Sequence, residues 1–379
     1  MRLLYIVNIF PRLSETFILD EIIYLLSQGY RVSILSFLKP EDIDPPDNLI
    51  HEEVYRYHLL EHVYYFSDVM GTIENLYRFR ITPVLANILS HVDLIIAHFA
   101  NTPAQIAERL SFYLGIPYIF VAHARDIFVN VDIAALHQRV ERAARVIVPT
   151  EFNKQYLLHL LGGSYDAKIQ VIHYGIDLAR FAPKPRRRQQ KEPLVVLSIG
   201  RLVEKKGIDD AIRAFALTLP LHQNATLRIV GDGPLKSEIA HLVNELGLQS
   251  QVHLLGYSTH LGVREELQRA DVSLVPFRTA QDGDREGLPV AILEASAMCL
   301  PVVSTFHTGI PEGVIHGKTG FLVPERDIAC LAEKLEILLH NEMLRAEMGM
   351  AGREYVSKHY ELNLRMNELI TVIHEVVAH

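Results

Sequence analysis

The chain is expected to be an α/β protein built from two Rossmann-like, doubly wound parallel-sheet domains. Three observations predict this. Short apolar runs alternate with amphipathic stretches along most of the 379 residues. The runs fall into two sets of six, one in each half of the chain. A polar, proline-rich stretch separates the two sets. Strands alternating with helices imply parallel sheets covered on both faces.

In the first half the expected strands are Leu3–Ile9, Arg31–Phe37, Leu94–Phe99, Tyr118–Ala122, Val146–Pro149 and Ile169–His173. Ser14–Gln28 is the clearest helix: Ser14 suits the N-cap, Glu15 the first turn, and Gly29 ends it. Its apolar face is Phe17, Ile18, Ile22, Leu25 and Leu26. In the second half strands are expected at Leu194–Ile199, Thr226–Val230, Val252–Leu255, Val272–Pro276, Val302–Thr305 and Gly320–Val323. The predicted division is an N-terminal domain over 1–182, a linker over 183–193, a C-terminal domain over 194–358 and a final helix over 359–379 that is free to pack back on the first domain. The linker, Pro183–Pro193, holds three prolines and five basic residues in eleven positions and reads as solvated chain, with contact to an anionic lipid as the alternative.

Composition narrows the function. Lys and Arg number 37 against 45 Asp and Glu, a net charge of −8, which argues against a nucleic-acid partner. Two cysteines, Cys299 and Cys330, cannot build a disulfide framework or a four-ligand zinc site. No apolar run reaches the 18 residues of a membrane span, and Met1–Asn8 reads as a buried strand rather than an export signal. A cytoplasmic protein is expected. Tyr64–Leu89 mixes aromatics with Arg78 and Arg80, and reads as domain packing or as an interfacial helix pair that touches a membrane.

Open parallel sheets bind ligands at the carboxyl ends of their strands, so the loops that follow strands carry the chemistry. After Leu194–Ile199 comes Gly200-Arg-Leu-Val-Glu-Lys-Lys-Gly207. Arg201 and Lys206, ahead of a helix N-terminus, suit a diphosphate. Gly231-Asp-Gly-Pro234 is a tight strand-to-helix turn with Pro234 near the first helical position, and Gly256-Tyr257 is another strand-end turn where a base fits. The third loop, Asp282-Gly-Asp-Arg-Glu-Gly-Leu-Pro289, leads into a helix whose apolar neighbourhood is interrupted by Glu294. A carboxylate there needs donors, and sugar hydroxyls are suitable ones. Glu286 lies in the approach to the same helix. Asp282-Gly-Asp284 also spells the D-x-D of metal-dependent transferases, and His51, His58 and His62 are loosely spaced; surface acids and solvated helix histidines are the simpler readings, and no metal is expected.

Glu286-x7-Glu294, Gly200-Arg201-Leu202 with Lys206-Gly207, and Gly231-Asp232-Gly233-Pro234 together resemble the retaining glycosyltransferases of family 4, which have the two-domain GT-B fold with a cleft between the domains. The resemblance runs over essentially the whole chain and is densest from Ile169 to Tyr360. Phe10–Ile18 and Asp282–Pro289 are similar to strings in transferases that build bacterial exopolysaccharides such as colanic acid. The resemblance implies that Arg201 and Lys206 hold the donor diphosphate, that Glu294 binds the ribose, that Glu286 faces the transferred sugar, and that His123, in Val121-Ala-His-Ala-Arg-Asp126, reaches that sugar from the first domain. Gly231, Gly256, Tyr257, Gly287 and Leu288 are expected around the nucleotide sugar, and Ser14 near its phosphate. Arg125 and Asp126 orient His123 or face the acceptor. One departure stands out: many relatives have a Gly-Gly pair after the first strand, where this chain has Phe10-Pro-Arg-Leu-Ser-Glu-Thr16.

The implied activity is transfer of a sugar from a UDP- or GDP-linked donor to a hydroxyl of a saccharide or lipid-linked saccharide, with retention, no metal and no cofactor beyond the donor substrate. The implied route is a front-face, ion-pair-like reaction in which the leaving phosphate helps deprotonate the acceptor. Two alternatives stay open: an epimerase or phosphorylase of the same fold, and a non-catalytic nucleotide-binding protein. A dehydrogenase is disfavoured, because no G-x-G-x-x-G follows the first strand.

Overall fold

The computed structural model describes residues 1–12, 15–40, 54, 56–66, 83–184 and 192–378. The chain forms two compact units, one of Met1–His173 with Leu364–His379, the other of Tyr174–Asn363.

The first unit contains β1 (Arg2–Ile9), α1 (Thr16–Ser27), β2 (Arg31–Leu38), β3 (Val63–Tyr65), α2 (Pro83–Leu89), β4 (Leu94–His98), α3 (Thr102–Leu114), β5 (Tyr118–Val121), α4 (Arg125–Phe128), α5 (Ile133–Arg142), β6 (Arg145–Val148), α6 (Glu151–Leu160) and β7 (Ile169–Val171). Its sheet runs β3-β2-β1-β4-β5-β6-β7, every pairing parallel. β1 is apolar throughout its middle, and Leu3 to Val7 are buried, because helices cover both faces of a central parallel strand. It pairs with β2 on one side (Leu4↔Ser33) and β4 on the other (Leu4↔Ile95). Strand order therefore reverses between β1 and β4.

The second unit contains β8 (Val195–Ile199), α7 (Ile208–Thr218), β9 (Thr226–Val230), α8 (Lys236–Glu245), β10 (Val252–Gly256), α9 (His260–Arg269), β11 (Val272–Leu274), α10 (Val290–Ala297), β12 (Val302–Thr305), α11 (Ile310–Gly313), β13 (Gly320–Val323), α12 (Ile328–His340) and α13 (Glu342–His359). Its sheet runs β10-β9-β8-β11-β12-β13, again parallel. β8 sits between β9 (Val196↔Leu227) and β11 (Val272↔Val196), so here the order reverses between β8 and β11. The loops after those two strands flank the point at which open α/β sheets bind ligands.

The structure differs from the sequence expectation in four places. The edge strand β3 was not expected; it is three residues long, and its partner β2 supplies the register (Ile34↔Val63) that no local pattern announces. Residues 174–182, expected in the first domain, belong to the second unit, where Ile176 and Phe181 are buried beside Val195 and Leu197. Arg353 donates to the Phe181 carbonyl (2.8 Å), and Ile176 N–H donates to the Tyr360 carbonyl (2.7 Å), fastening this segment to α13. The clearest helix begins at Thr16 with Glu15 at its cap; the Glu15 carboxylate makes no cap bond and pairs with Arg12 at 2.9 Å. His58 and His62 bound a 3₁₀ turn, Leu59–His62, rather than lying on an α-helix. Ser14, His51, Arg78, Arg80 and most of the expected linker (185–191) lie outside the described residues.

The last helix, α14 (Leu362–Val377), returns to the first unit from Leu364 onward. It buries Met366, Leu369, Val372, Ile373 and Val376. Tyr24 donates to Asn367 (3.3 Å), and the Tyr30 hydroxyl meets His374 (2.9 Å). Among the described residues no helix is long and apolar enough to cross a membrane.

Candidate active site

In the second unit three strand-end loops are tied together through their backbones. Gly200 N–H donates to the Val230 carbonyl (3.0 Å), Leu202 N–H to Asp232 (2.9 Å) and Gly231 N–H to Gly256 (2.8 Å). Gly231 has φ +144°, and a Cβ there would lie 1.9 Å from the Gly200 carbonyl oxygen, so only glycine lets the two loops meet. Gly207 ends the 3₁₀ turn Glu204–Lys206 at φ +59° and opens α7; a Cβ would lie 2.0 Å from the Pro276 carbonyl. That close approach seats the β8 loop on the loop after β11. Pro234 does not open its helix: α8 starts at Lys236, which pairs with Asp232 at 2.6 Å.

The seating brings Lys205 and Lys206 onto Glu286. Both ammoniums lie 3.1 Å from Glu286 Oε1, and Lys205 also lies 3.1 Å from Asp284. Lys206 stands over the Phe277 ring, 4.9 Å from its centre. Burial alone would push the Glu286 carboxyl up, but the charges and hydrogen bonds of Lys206 and Lys205 outweigh it and bring the pKa down to about 2. Burial pulls Lys206 below the usual lysine range, with Glu286 acting against that pull. Lys205, also opposed by burial, is raised because two carboxylates face it.

Arg201 is exposed at the end of β8, and among the described residues its guanidinium makes no hydrogen bond or ion pair. Lys205 and Lys206 thus face the carboxylates of Asp284 and Glu286, and among the described residues Arg201 leaves its guanidinium available to an anion. Asp284 is committed to Lys205, while Asp282 Oδ1 accepts the Asp284 N–H (3.0 Å). Among the described residues no group of three or more His, Cys, Asp or Glu is arranged to hold a metal ion.

The other expected residues gather round the same loops. Pro289 caps α10, and Glu294 is buried on that helix, 6% exposed. Gly287 is buried, and the Leu288 side chain is turned into the core against Gly313. Gly256 accepts from Gly231, and Tyr257 beside it is 42% exposed. The sequence reading missed His307, Thr308 and Glu325. Glu286 N–H donates to His307 Nε2 (3.2 Å), and His307 Nδ1 meets Glu325 Oε1 at 2.6 Å. The Thr308 hydroxyl donates to the carbonyls of Glu286 (2.6 Å) and Gly287 (2.9 Å). One signal was available: His307 and Thr308 lie just past the end of β12 at Thr305, in a loop that follows a strand.

In the first unit His123 follows β5 and is 5% exposed. Its Nε2 lies 3.2 Å from His98 Nδ1, and His98 Nε2 lies 3.3 Å from Glu21 Oε1. The Tyr5 hydroxyl donates to the same oxygen at 2.5 Å. The two imidazoles stack, 5.3 Å between centres and 15° between planes, and Phe17 and Phe99 enclose His123. The Glu21 oxygen that accepts from Tyr5 also accepts His98 Nε2–H, which leaves His98 Nδ1 to accept from His123 Nε2–H. Burial first, then the His98 imidazole, hold the His123 pKa well below its ordinary value. Asp126 does not point away from this loop. Its carboxylate accepts from the N–H groups of His123 (3.2 Å), Ala124 (2.9 Å) and Ala100 (2.7 Å), binding the β5 loop to the β4 loop. Asn153 donates to the His123 carbonyl.

Two family models match the chain: Glycosyltransferase Family 4 over residues 14–180 and Glycosyl transferases group 1 over residues 181–355. The putative colanic acid biosynthesis glycosyltransferase WcaL of Escherichia coli is 31% identical over 86% of this chain and 87% of its own length. The amylovoran biosynthesis glycosyltransferase AmsK of Erwinia amylovora is 28% identical over 98% and 99%. Among solved structures, a glycosyltransferase from Rickettsia africae superposes with a TM-score of 0.79 at 17% identity, covering 99% of this chain and 98% of that one. HepE of Anabaena, solved in complex with UDP, gives 0.79 at 19% over 99% and 100%. With its paired parallel sheets, its Glu286-x7-Glu294 loop and helix, and full-length relatives of this kind, the chain belongs to the family 4 glycosyltransferases of GT-B fold.

Proposed function

We propose that this glycosyltransferase moves a sugar from a UDP- or GDP-linked donor to a hydroxyl of a saccharide or lipid-linked saccharide, with retention and without a metal, in the synthesis of an exopolysaccharide. The observation that carries the reading is the pairing of Lys206 with Glu286 beside Arg201, which is exposed and has no partner among the described residues, at the point where the strand order reverses. As the bond between the sugar and the diphosphate breaks, negative charge grows on the leaving oxygens. Arg201 and Lys206 stabilise it, and the N-terminal end of α7 adds its dipole. Glu286, kept ionised by two lysines, accepts hydrogen bonds from the hydroxyls of the transferred sugar. Glu294 does the same for the ribose, and the leaving phosphate takes the acceptor's proton. The polysaccharides in the relatives' names support the acceptor class, and the UDP bound by HepE supports a nucleoside diphosphate donor. The protein works in the cytoplasm, at the inner face of the membrane when its acceptor is lipid-linked.

The test is turnover of UDP- and GDP-sugars with chelator present, the anomeric configuration of the product being read by NMR. Lys206→Ala lowers kcat by roughly 100- to 1000-fold, the usual cost of removing one oxyanion donor. Near-normal turnover by that variant sinks the phosphate assignment; an inverted product, or manganese-dependent activity, sinks retention or metal independence.

A further inference from the structure

Resting on that reading of Glu286, we infer that His307, backed by Glu325, is a positioning residue that holds the Glu286–Gly287–Leu288 backbone in register for the donor sugar. Glu286 is gripped at both of its backbone polar atoms. Its N–H donates to His307 Nε2 (3.2 Å), and its carbonyl accepts from the Thr308 hydroxyl (2.6 Å), which also reaches the Gly287 carbonyl (2.9 Å). An amide N–H can only donate, so Nε2 must present a lone pair and the ring proton must sit on Nδ1. Nδ1–H then donates to Glu325 Oε1 at 2.6 Å. Glu325 is itself held, its Oε2 accepting the Thr279 N–H at 2.8 Å. The order of donors is thus set from Glu286 to Thr279 without ambiguity.

Two further observations point to positioning rather than ordinary packing. His307 is 1% exposed, yet its ring spends both nitrogens on this chain. Thr308 sits at φ +44°, a left-handed conformation that β-branched residues avoid. In that conformation its hydroxyl donates to two successive carbonyls of the donor loop, and backbone strain of this kind clusters at functional sites. Among the described residues the Glu286 carboxylate is paired with Lys205 and Lys206. His307 therefore acts through Glu286 and is not expected to meet the substrate.

The test compares His307→Ala, His307→Gln and Glu325→Gln with wild type in donor turnover, alongside Glu286→Gln as a control for the site. Glutamine can accept from the Glu286 N–H and donate to Glu325, so it preserves the order of donors. His307→Ala is expected to lower kcat by about 100-fold, the scale of an ångström-sized misplacement, with KM for the donor changing far less. His307→Gln is expected to recover most of that loss, and Glu325→Gln to fall between. Nitrogen-15 NMR of the wild-type histidines is expected to show His307 protonated at Nδ1. Equal activity of His307→Ala and wild type overturns the inference, as does His307→Gln no better than His307→Ala, or an Nε2–H tautomer in the spectrum. An Nε2–H tautomer overturns the inference even where His307→Ala fails to fold. If Glu286→Gln turns over donor normally, the site reading fails; if it is inactive while His307→Ala is normal, only the present inference fails.

Discussion

The two units hold their principal polar residue by the same device and to opposite electrostatic ends. His123 in the first unit meets His98, which is backed by Glu21; Glu286 in the second meets His307, which is backed by Glu325. In the first unit the grip runs ring to ring, and burial with a neighbouring imidazole keeps His123 neutral. In the second the grip is on the backbone, and two ammoniums at 3.1 Å keep the side chain charged against its burial. The difference teaches that burial alone does not set the charge of a site. Charge survives where cations face it directly and is refused where only desolvation and another imidazole do.

The largest expected effects come from removing the charged pair. Glu286→Gln is expected to lose activity by roughly 100- to 1000-fold, like Lys206→Ala, because the proposed function has the carboxylate and its cation act on the same donor. It also leaves Lys205 and Lys206 facing each other without their shared anion. A loss of about 1–3 kcal/mol in urea unfolding, followed by circular dichroism, is expected. Full stability in that variant would mean the pair is held by the loops and not the loops by the pair.

Gly231→Ala comes next. It drives a methyl into the Gly200 carbonyl at a φ unsuited to alanine, so the β8 and β9 loops must separate. A loss of about 1–3 kcal/mol and weaker nucleoside diphosphate binding by calorimetry are expected together. Lost stability with unchanged binding would show that the loop seam does not shape the proposed phosphate site. In the first unit, His98→Leu removes the partner of both His123 and Glu21, and is expected to cost about 1–3 kcal/mol of stability. A neutral outcome would show that the chain from Tyr5 to His123 is replaceable by packing.

The smallest effect is the acid response, which separates the units by pH. His123 has a lowered folded pKa, so the unfolded state binds the extra proton first; its contribution to stability is lost as pH falls below the ordinary value of 6.5. Glu286 is depressed from 4.5 to about 2, so its contribution is present above 4.5 and lost as pH falls through that window towards 2. Hydrogen exchange read by mass spectrometry should therefore show protection weakening in the first unit at milder acidity than at the Glu286 loop. The reverse order breaks the comparison.

The alternating strands were legible because a buried parallel strand needs an unbroken apolar run; Thr226–Val230, Val302–Thr305 and Gly320–Val323 begin and end where expected. Lys206, Glu286 and Glu294 stood out in the sequence because charged residues at strand ends and inside an apolar helix conflict with local packing; the structure pairs Lys206 with Glu286 and buries Glu294. β3 was not legible, since three half-buried residues carry no period of their own. Nor was the place of Ile176 and Phe181, whose apolar side chains fit either core until α13 and β8 are in position.

By itself, then, the sequence determined the two parallel α/β sheets and the loops that bear charge, because both follow from local pattern and from the cost of burying an ionised group. Only the tertiary structure decided which cation meets which carboxylate. Glu286 and His307 stand on different strand-end loops, His98 ends β4 while His123 follows β5, and Glu21 comes from a helix. Those partners are chosen by strand order and by the close passage of Gly207 and Gly231, where distances of a few ångströms between remote segments decide the pairing.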